Sequence, residues 1–557
     1  MKKTLMIIVA FAAVLAALLA VSSAAERFRP PEEPEPAAEE IKEEPVITNV
    51  MEPDAATVIR FENGAASYAG QGVAVTGGVV TIGYPGTYRV SGAFSGQLVV
   101  NCGDFHGAVY IMLEGVSVTC ETGPALYVAQ CDKTVLYLVE GTENAFRDGE
   151  GYVLTEGQKE RLGAGIYSAD DLSVEGEGSL TVTGRNADGI RTKDALTVTG
   201  GTLTVYGADE GLQGSDSVDI QGGNITLYAY GNGISTTKGD VTVSGGNVTI
   251  VSAGDGIDAE EDITVSGGNV TATTYGGWEN YAAAELAGIS ADGLKGKNVA
   301  VTGGSLTLNT AGDGINGDDV RVEAGEISIS AGDDGLHADG ELVISGGAVS
   351  IAQSYEGAEA ERVRVTGGVI SAAAENNGVS AGADGFAVEG AALITLTAPC
   401  CVKSEGDMRI EQGSLWLVSD GAEAPVSAGA CAVTGGTLVL GMASTDTALV
   451  LEGGEIPASL LFGLGVSQPA GTAITLADAD GQEILAFETA ADCGAVLVAS
   501  GALRVGQTYI LTAGEQTLEA VLGEGCTVAE TEVPITAAMP GMGGASGGMM
   551  PRPGASN

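Results

Sequence analysis

Between about residues 163 and 441, apolar residues fall two apart in paired short runs, one on each side of a Gly-Gly dipeptide. Aligned on Gly200-Gly201, Gly222-Gly223, Gly245-Gly246, Gly267-Gly268, Gly303-Gly304, Gly346-Gly347 and Gly367-Gly368, the copies share four apolar columns. Two precede the bend, beginning Leu196, Val218, Val241, Ile263 and Val198, Ile220, Val243, Val265. Two follow it, beginning Leu203, Ile225, Val248, Val270 and Val205, Leu227, Ile250, Ala272. Thr, Ser or Asp stands between them, the alternation of a strand with one dry face and one wet face. One such unit cannot close a core, but stacked units can, each strand pairing with its equivalent about 4.8 Å away. The pattern therefore predicts an all-β fold, a right-handed parallel β-helix with β caps, its hand taken from the usual crossover preference. A β-propeller would need longer repeats and more aromatic residues.

An acid-glycine pair keeps step with the bends: Asp188-Gly189, Glu210-Gly211, Asn232-Gly233, Asp255-Gly256, Asp292-Gly293, Asp313-Gly314, Asp334-Gly335 and Glu356-Gly357. The intervals are 22, 22 and 23 residues, then 37, then 21, 21 and 22, which sets a solenoid turn of 21–23 residues with one insertion. That insertion, at about 271–289, carries Tyr275, Trp278 and Tyr281. Outside the array, 54–162 reads as irregular early strands plus a cap, and 442–535 as a C-terminal β region with antiparallel strands. Residues 1–25 have the charged start, apolar run and small residues of an export signal, with an uncleaved membrane anchor as the alternative. Residues 26–53 read as an acidic Pro/Glu/Ala spacer and 536–557 as a Gly/Met-rich tail, both expected to be disordered.

The formal charge of −49, spread along the chain, argues against nucleic acid as a partner and for a divalent cation. Stacking would line up Asp188, Glu210, Asp255, Asp292, Asp313, Asp334 and Glu356. A second line lies some six residues downstream: Asp194, Asp216, Asp240, Asp262, Asp319 and Asp339. Asp209, Asp258, Asp318 and Asp333 add acid at the same levels. Carboxylates so close repel unless a cation sits among them, and Ca²⁺ takes many hard oxygens in flexible geometry. Good turn chemistry explains a single Asp-Gly, but not the additional acids. The glycine after each acid is expected to let the backbone turn sharply, while Asn232 and Asn377 should dilute the column. Of the 8 cysteines none forms a Cys-x-x-Cys pair, so disulfides and buried thiols both stay open.

These features resemble a family of secreted bacterial carbohydrate-binding proteins. The resemblance rests on the export signal and acidic spacer, Gly123-Pro124-Ala125-Leu126-Tyr127, and Ser168-Ala169-Asp170-Asp171-Leu172. It continues through the Asp188-Gly189-Ile190 series with its Gly-Gly bends, Gln468-Pro469-Ala470-Gly471 and the Gly/Met tail. It implies a parallel β-helix similar in structure to calcium-dependent pectate lyases, calcium in the coils, and cellulose or polygalacturonate as ligand. Three functions follow as expectations. The first is a secreted or cell-surface, non-catalytic polysaccharide binder, with Tyr275, Trp278 and Tyr281 stacking on sugar rings or pinning their own loop. The second is a polysaccharide lyase using Lys193, Lys238, Lys295 or Lys297 as base beside calcium, although such lysines are more often counter-charges. The third is a structural adhesin or stalk. With only His106 and His337 and no nucleophile motif, acyl transfer is disfavoured.

Overall fold

The computed structural model describes residues 56–150, 152, 162–419, 424–443, 456–489 and 491–530. The expected export signal, spacer and tail lie outside the described residues. No helix among those described is long and apolar enough to cross a membrane.

The alternating runs form a parallel β-solenoid of about 15 turns. Each regular coil carries three strands, as in Asp188–Thr192, Ala195–Val198 and Thr202–Gly207. The next coil repeats them as Leu212–Gly214, Ser217–Ile220 and Asn224–Ala229, each parallel to and in register with its equivalent. Three sheets result. The second and third are the runs before and after Gly-Gly. The first is built on the acid-glycine segment, which the alternation does not reveal as a strand.

Inward positions of all three sheets share one continuous core, in which Ile190, Leu196, Leu203, Leu212 and Leu227 are fully buried. Each such side chain contributes about 1.5–3 kcal/mol by leaving water, and neighbouring coils bury one another's faces. The two kinds of glycine serve different ends. Gly223, at the bend between second and third sheets, has φ +93°, a left-handed conformation open to glycine at little cost. Gly314, after an acid, is not in that region. A Cβ there would stand 2.5 Å from the Gly335 carbonyl of the next coil. Close stacking, rather than a sharp turn, is why glycine follows the acid.

Parallel stacking begins well before residue 163. Thr57–Glu62 pairs in parallel with Gly86–Ser95, which pairs in parallel with Ala108–Cys120. The hairpins Thr57–Glu62 with Ala65–Ala69, and Val73–Thr76 with Val79–Ile82, finish this end. At the other end Cys493–Ser500 lies antiparallel on Thr437–Met442 and stops the stacking, as an open sheet edge requires. A separate antiparallel sheet of Glu483–Glu488, Ala473–Asp478, Thr508–Ala513 and Gln516–Val521 has its own core around Leu476, Phe487 and Leu511. Of the 8 cysteines, seven are buried and Cys526 alone is exposed. The insertion folds as a 3-10 turn, Trp278–Asn280, and a short α-helix, Tyr281–Ala287.

Candidate functional site

The acid-glycine residues stand at the edge of the first sheet, where each strand enters the stack. Asp188, Asp255, Asp292, Asp313, Asp334 and Glu356 are buried there, and Glu210 is half-buried. Except at Glu356, which accepts the side-chain amides of Asn376 and Asn377, one oxygen of each accepts the backbone N–H of its equivalent in the next coil. Asp188 Oδ1 takes Glu210 N–H at 3.3 Å, Glu210 Oε2 takes Asn232 N–H at 2.8 Å, and Asn232 Oδ1 takes Asp255 N–H at 2.8 Å. Across the insertion Asp255 Oδ1 takes Asp292 N–H at 2.7 Å. The ladder continues from Asp292 to Asp313 (2.9 Å), Asp313 to Asp334 (2.8 Å) and Asp334 to Glu356 (3.2 Å). Asn232 brings no charge to the column but keeps the ladder whole. It supplies the same side-chain carbonyl and is a full rung.

The residues three positions on form a row in cross-strand register, Arg191, Gln213, Ser235, Asp258, Lys295, Asn316, His337 and Glu359, and at four levels they meet the free oxygen of the rung. Arg191 reaches Asp188 Oδ2 at 3.1 Å, Asn316 Nδ2 donates to Asp313 Oδ2 at 2.8 Å, and Lys295 lies 3.8 Å from Asp292 Oδ2. His337 Nδ1 is 3.2 Å from Asp334 Oδ2 and 3.5 Å from Glu359 Oε2. Two groups offer ligand atoms all within 4.8 Å of one another: Asp313, Asp333 and Asp334, and Asp334, His337 and Glu359.

Burial dominates the electrostatics of this edge. It raises the Asp255 and Asp313 carboxyls to about 7, with Asp292 adding repulsion to both. Burial, then Asp209 and Asp188, raise Glu210 to about 8. Asp334 and Glu359 hold the imidazolium of His337 up to about 11, and His337 in turn holds Glu359 down to about 2. Without a cation, burial and mutual repulsion favour protons on these carboxyls. A hard divalent ion could replace those protons, using oxygens already fixed by the ladder.

The other predicted ligands are placed elsewhere. Asp194, Asp216, Asp262, Asp318, Asp319 and Asp339 lie at the corner between first and second sheets, half-buried or exposed. There Lys238 pairs with Asp216 at 3.1 Å, Asn298 donates to Asp262 at 2.7 Å, and Asp319 accepts Glu341 N–H at 2.8 Å. Among the described residues no group of three close ligand atoms includes a corner acid. The structure does not gather the two lines into one site. Asp209 is exposed beside Glu210, and Asp258 sits in the outward row, where its Oδ2 accepts Asn232 Nδ2–H at 3.0 Å. The lysines are counter-charges at three positions: Lys238 with Asp216, Lys297 with Glu261 at 2.6 Å, and Lys295 at the Asp292 level.

Tyr275 cannot stack on a sugar. It is buried at 4% exposure among Ala284, Ala291 and Ala311, so it pins the insertion. Trp278 and Tyr281 are half-buried, and the backbone N–H of Trp278 donates to Asn309 Oδ1 at 3.1 Å. Gly332 leaves room for this loop on the next coil, since a Cβ there would stand 2.6 Å from Tyr281 Cβ. The exposed rings are in the N-terminal coils: Tyr84, Phe105, Tyr110 and Tyr137. Tyr84 packs on Phe105 at 4.3 Å between centroids and borders a cleft of ≈ 530 Å³ with Thr57, Gln71 and Tyr88. The third sheet also presents a straight outward row of hydroxyls in register: Thr181, Thr204, Thr226, Thr249, Thr271, Thr307, Ser328, Ser350, Ser371 and Thr395. The alignment that exposed the apolar columns also contains this row, as the residue between them.

Residues 76–335 match the model of a family described as carbohydrate-binding domain-containing proteins. That span holds the edge ladder from Asp188 to Asp334, the exposed rings and most of the hydroxyl row. A carbohydrate-binding domain-containing protein of Acetivibrio thermocellus is 36% identical over 135 residues, which is 24% of this chain and 47% of the relative. The chain thus spans about half the length of that curated relative. A solved polysaccharide lyase-like protein from C. thermocellum, a gadolinium derivative, is 30% identical with a TM-score of 0.39, over 46% of this chain and 97% of that one.

Proposed function

We propose that this protein is an exported, calcium-binding and non-catalytic binder of plant cell-wall polysaccharide, either cellulose or polygalacturonate. The observation that carries the reading is the match of residues 76–335 to a carbohydrate-binding family. The structure suits it physically. A flat sheet with hydroxyls repeating about every 4.8 Å offers a long polymer many equivalent weak contacts, and exposed tyrosines can stack on sugar rings. Calcium at the first-sheet edge would offset the charge of an acidic wall that otherwise repels uronates.

A second reading, calcium-dependent lyase, is favoured by Lys295 alone, the predicted base that stands beside the acid edge. Burial works against its charge, but Asp255, Asp292 and Asp258 outweigh that and hold the ammonium above its usual range. A β-elimination base must be free of its proton, so this environment argues for a counter-charge.

Incubating the purified chain with polygalacturonate, with and without chelator, while following both retention and ultraviolet absorbance from unsaturated ends, separates the readings. Calcium-dependent retention without absorbance is expected. Rising absorbance would make the protein a lyase. Absence of both signals on polygalacturonate and on cellulose would overturn the binding reading and leave a stalk.

A further inference from the structure

The acid edge is chemically uniform along its buried rungs and varied in the outward row beside them. At the Asp188 level the outward residue is Arg191, and at the Asp292 level it is Lys295. Those side chains are themselves cations. At the Asp313 level it is Asn316, whose amide already donates to the carboxylate. One level brings an imidazole to the rung and a carboxylate to the imidazole: Asp334, His337 and Glu359.

We propose that Asp334, His337 and Glu359 form a site for a borderline transition-metal ion of the Zn²⁺ class, different in kind from the all-oxygen group of Asp313, Asp333 and Asp334. His337 and Glu359 are direct cross-strand partners in the first sheet, so the backbone fixes their separation. Nδ1 of His337 is 3.2 Å from Asp334 Oδ2 and 3.5 Å from Glu359 Oε2. Ligands about 2.0–2.2 Å from a tetrahedral zinc ion stand about 3.4 Å from one another, so little movement is needed to close around it. A single proton on Nδ1 can serve only one of the two carboxylates facing it, whereas a metal ion serves both.

The far side of the ring supports the same assignment. Asp339 Oδ1 faces Nε2 at 3.5 Å, placed to hold the proton on that nitrogen when a metal ion displaces the one on Nδ1. A second observation comes from the next rung. Glu356 is only 7% exposed, and its Oε1 takes the amides of both Asn376 and Asn377. Its Oε2 is buried away from those amides, and the Ser380 hydroxyl of the next strand is the donor that acts on this carboxylate. By register Glu356 stands to Glu359 as Asp334 stands to His337, so the next rung adds a buried carboxylate whose charge acts on Glu359. His337 keeps 26% of its side chain exposed, which leaves a way in for the ion and a position for water. An imidazole with two or three carboxylate oxygens suits Zn²⁺, Mn²⁺ or Co²⁺, while calcium gains nothing from the nitrogen.

The test is a Zn²⁺ titration of the chelator-stripped full chain by calorimetry in excess calcium, with Co²⁺ absorption and zinc X-ray absorption as direct readouts. The expected result is one zinc equivalent that calcium does not displace, with an imidazole nitrogen about 2.0–2.1 Å from the metal. His337→Asn places there the residue that Asn316 already provides one coil earlier, so the solenoid should fold. It should weaken zinc at least tenfold, as should Glu359→Gln, with the circular dichroism of both unchanged. Asp188→Asn, at the level closed by Arg191, should leave zinc binding as in wild type. Equal zinc affinity in wild type and His337→Asn, no imidazole in the absorption spectrum, or displacement by equimolar calcium would each overturn the assignment.

Discussion

Two lines of carboxylate run along this solenoid, some six residues apart in the coils that carry both, and they live under different physics. At the first-sheet edge, Asp255, Asp292, Asp313 and Asp334 are buried, each accepting a backbone N–H or passing one along. At the corner between first and second sheets, Asp216 is exposed and Asp262 and Asp319 are half-buried, and they meet lysine, amide and arginine partners in turn. The same residue type is thus a buried acceptor under electrostatic stress in one line and a more exposed group in the other, which at Asp319 also accepts a backbone N–H. Equal spacing along the chain makes two columns. Burial is what sets them apart.

The contrast is broken most severely by removing an edge acceptor. Asp313→Ala would strand the buried N–H of Asp334, at a cost of about 1–3 kcal/mol in chemical denaturation. Asp313→Asn keeps the acceptor, as Asn232 does naturally, and should unfold close to wild type in chelator. Asp216→Ala at the corner should change stability by no more than about 0.5 kcal/mol, since exposed ion pairs contribute little. A corner variant as costly as the edge variant would remove the distinction.

The next effect is on pH dependence. Asp255, Asp313 and Glu210 are raised in the folded state, to about 7, 7 and 8. Between their ordinary values near 4 and these raised ones, the folded chain holds more protons than the unfolded chain. Stability in chelator must therefore fall as pH rises from about 4 to about 8. Calcium should flatten that slope by taking the protons' place. Thermal unfolding at several pH values checks this, and a chelated protein that gains stability toward pH 8 would contradict it.

A smaller test concerns the insertion. Tyr275→Ala should loosen the loop and lower the unfolding temperature, with polymer retention nearly unchanged, because the ring is buried. Tyr275→Phe should be neutral or slightly stabilising, since the buried hydroxyl has no partner. Loss of retention in the phenylalanine variant would return Tyr275 to the sugar-binding surface.

The second and third sheets could be read from sequence because their strands, such as Ser217–Ile220 and Asn224–Ala229, alternate over four to six residues. The first sheet could not. Its strands shrink to Leu212–Gly214, Ile234–Thr236 and Ile257–Asp258, too short to show a two-residue period, with one large apolar residue each. Its acids were visible as a column, but the reason for an oxygen at that place, a backbone N–H one coil away, is tertiary. His337 and Glu359 were harder still. They meet only when copies 22 residues apart are compared three positions past the acid, in a row that is chemically mixed. Aromatic grouping misled because Tyr275, Trp278 and Tyr281 sit together on an insertion, where the packing of the loop against the coil takes the first ring inside.

The most direct test of the edge-versus-corner account is calorimetric unfolding at pH 8, with chelator and with calcium, on wild type, Asp313→Asn and Asp216→Asn. The account predicts that calcium raises the unfolding temperature of wild type and Asp216→Asn equally, and of Asp313→Asn distinctly less. An equal calcium shift in all three proteins, or a loss confined to Asp216→Asn, would contradict it.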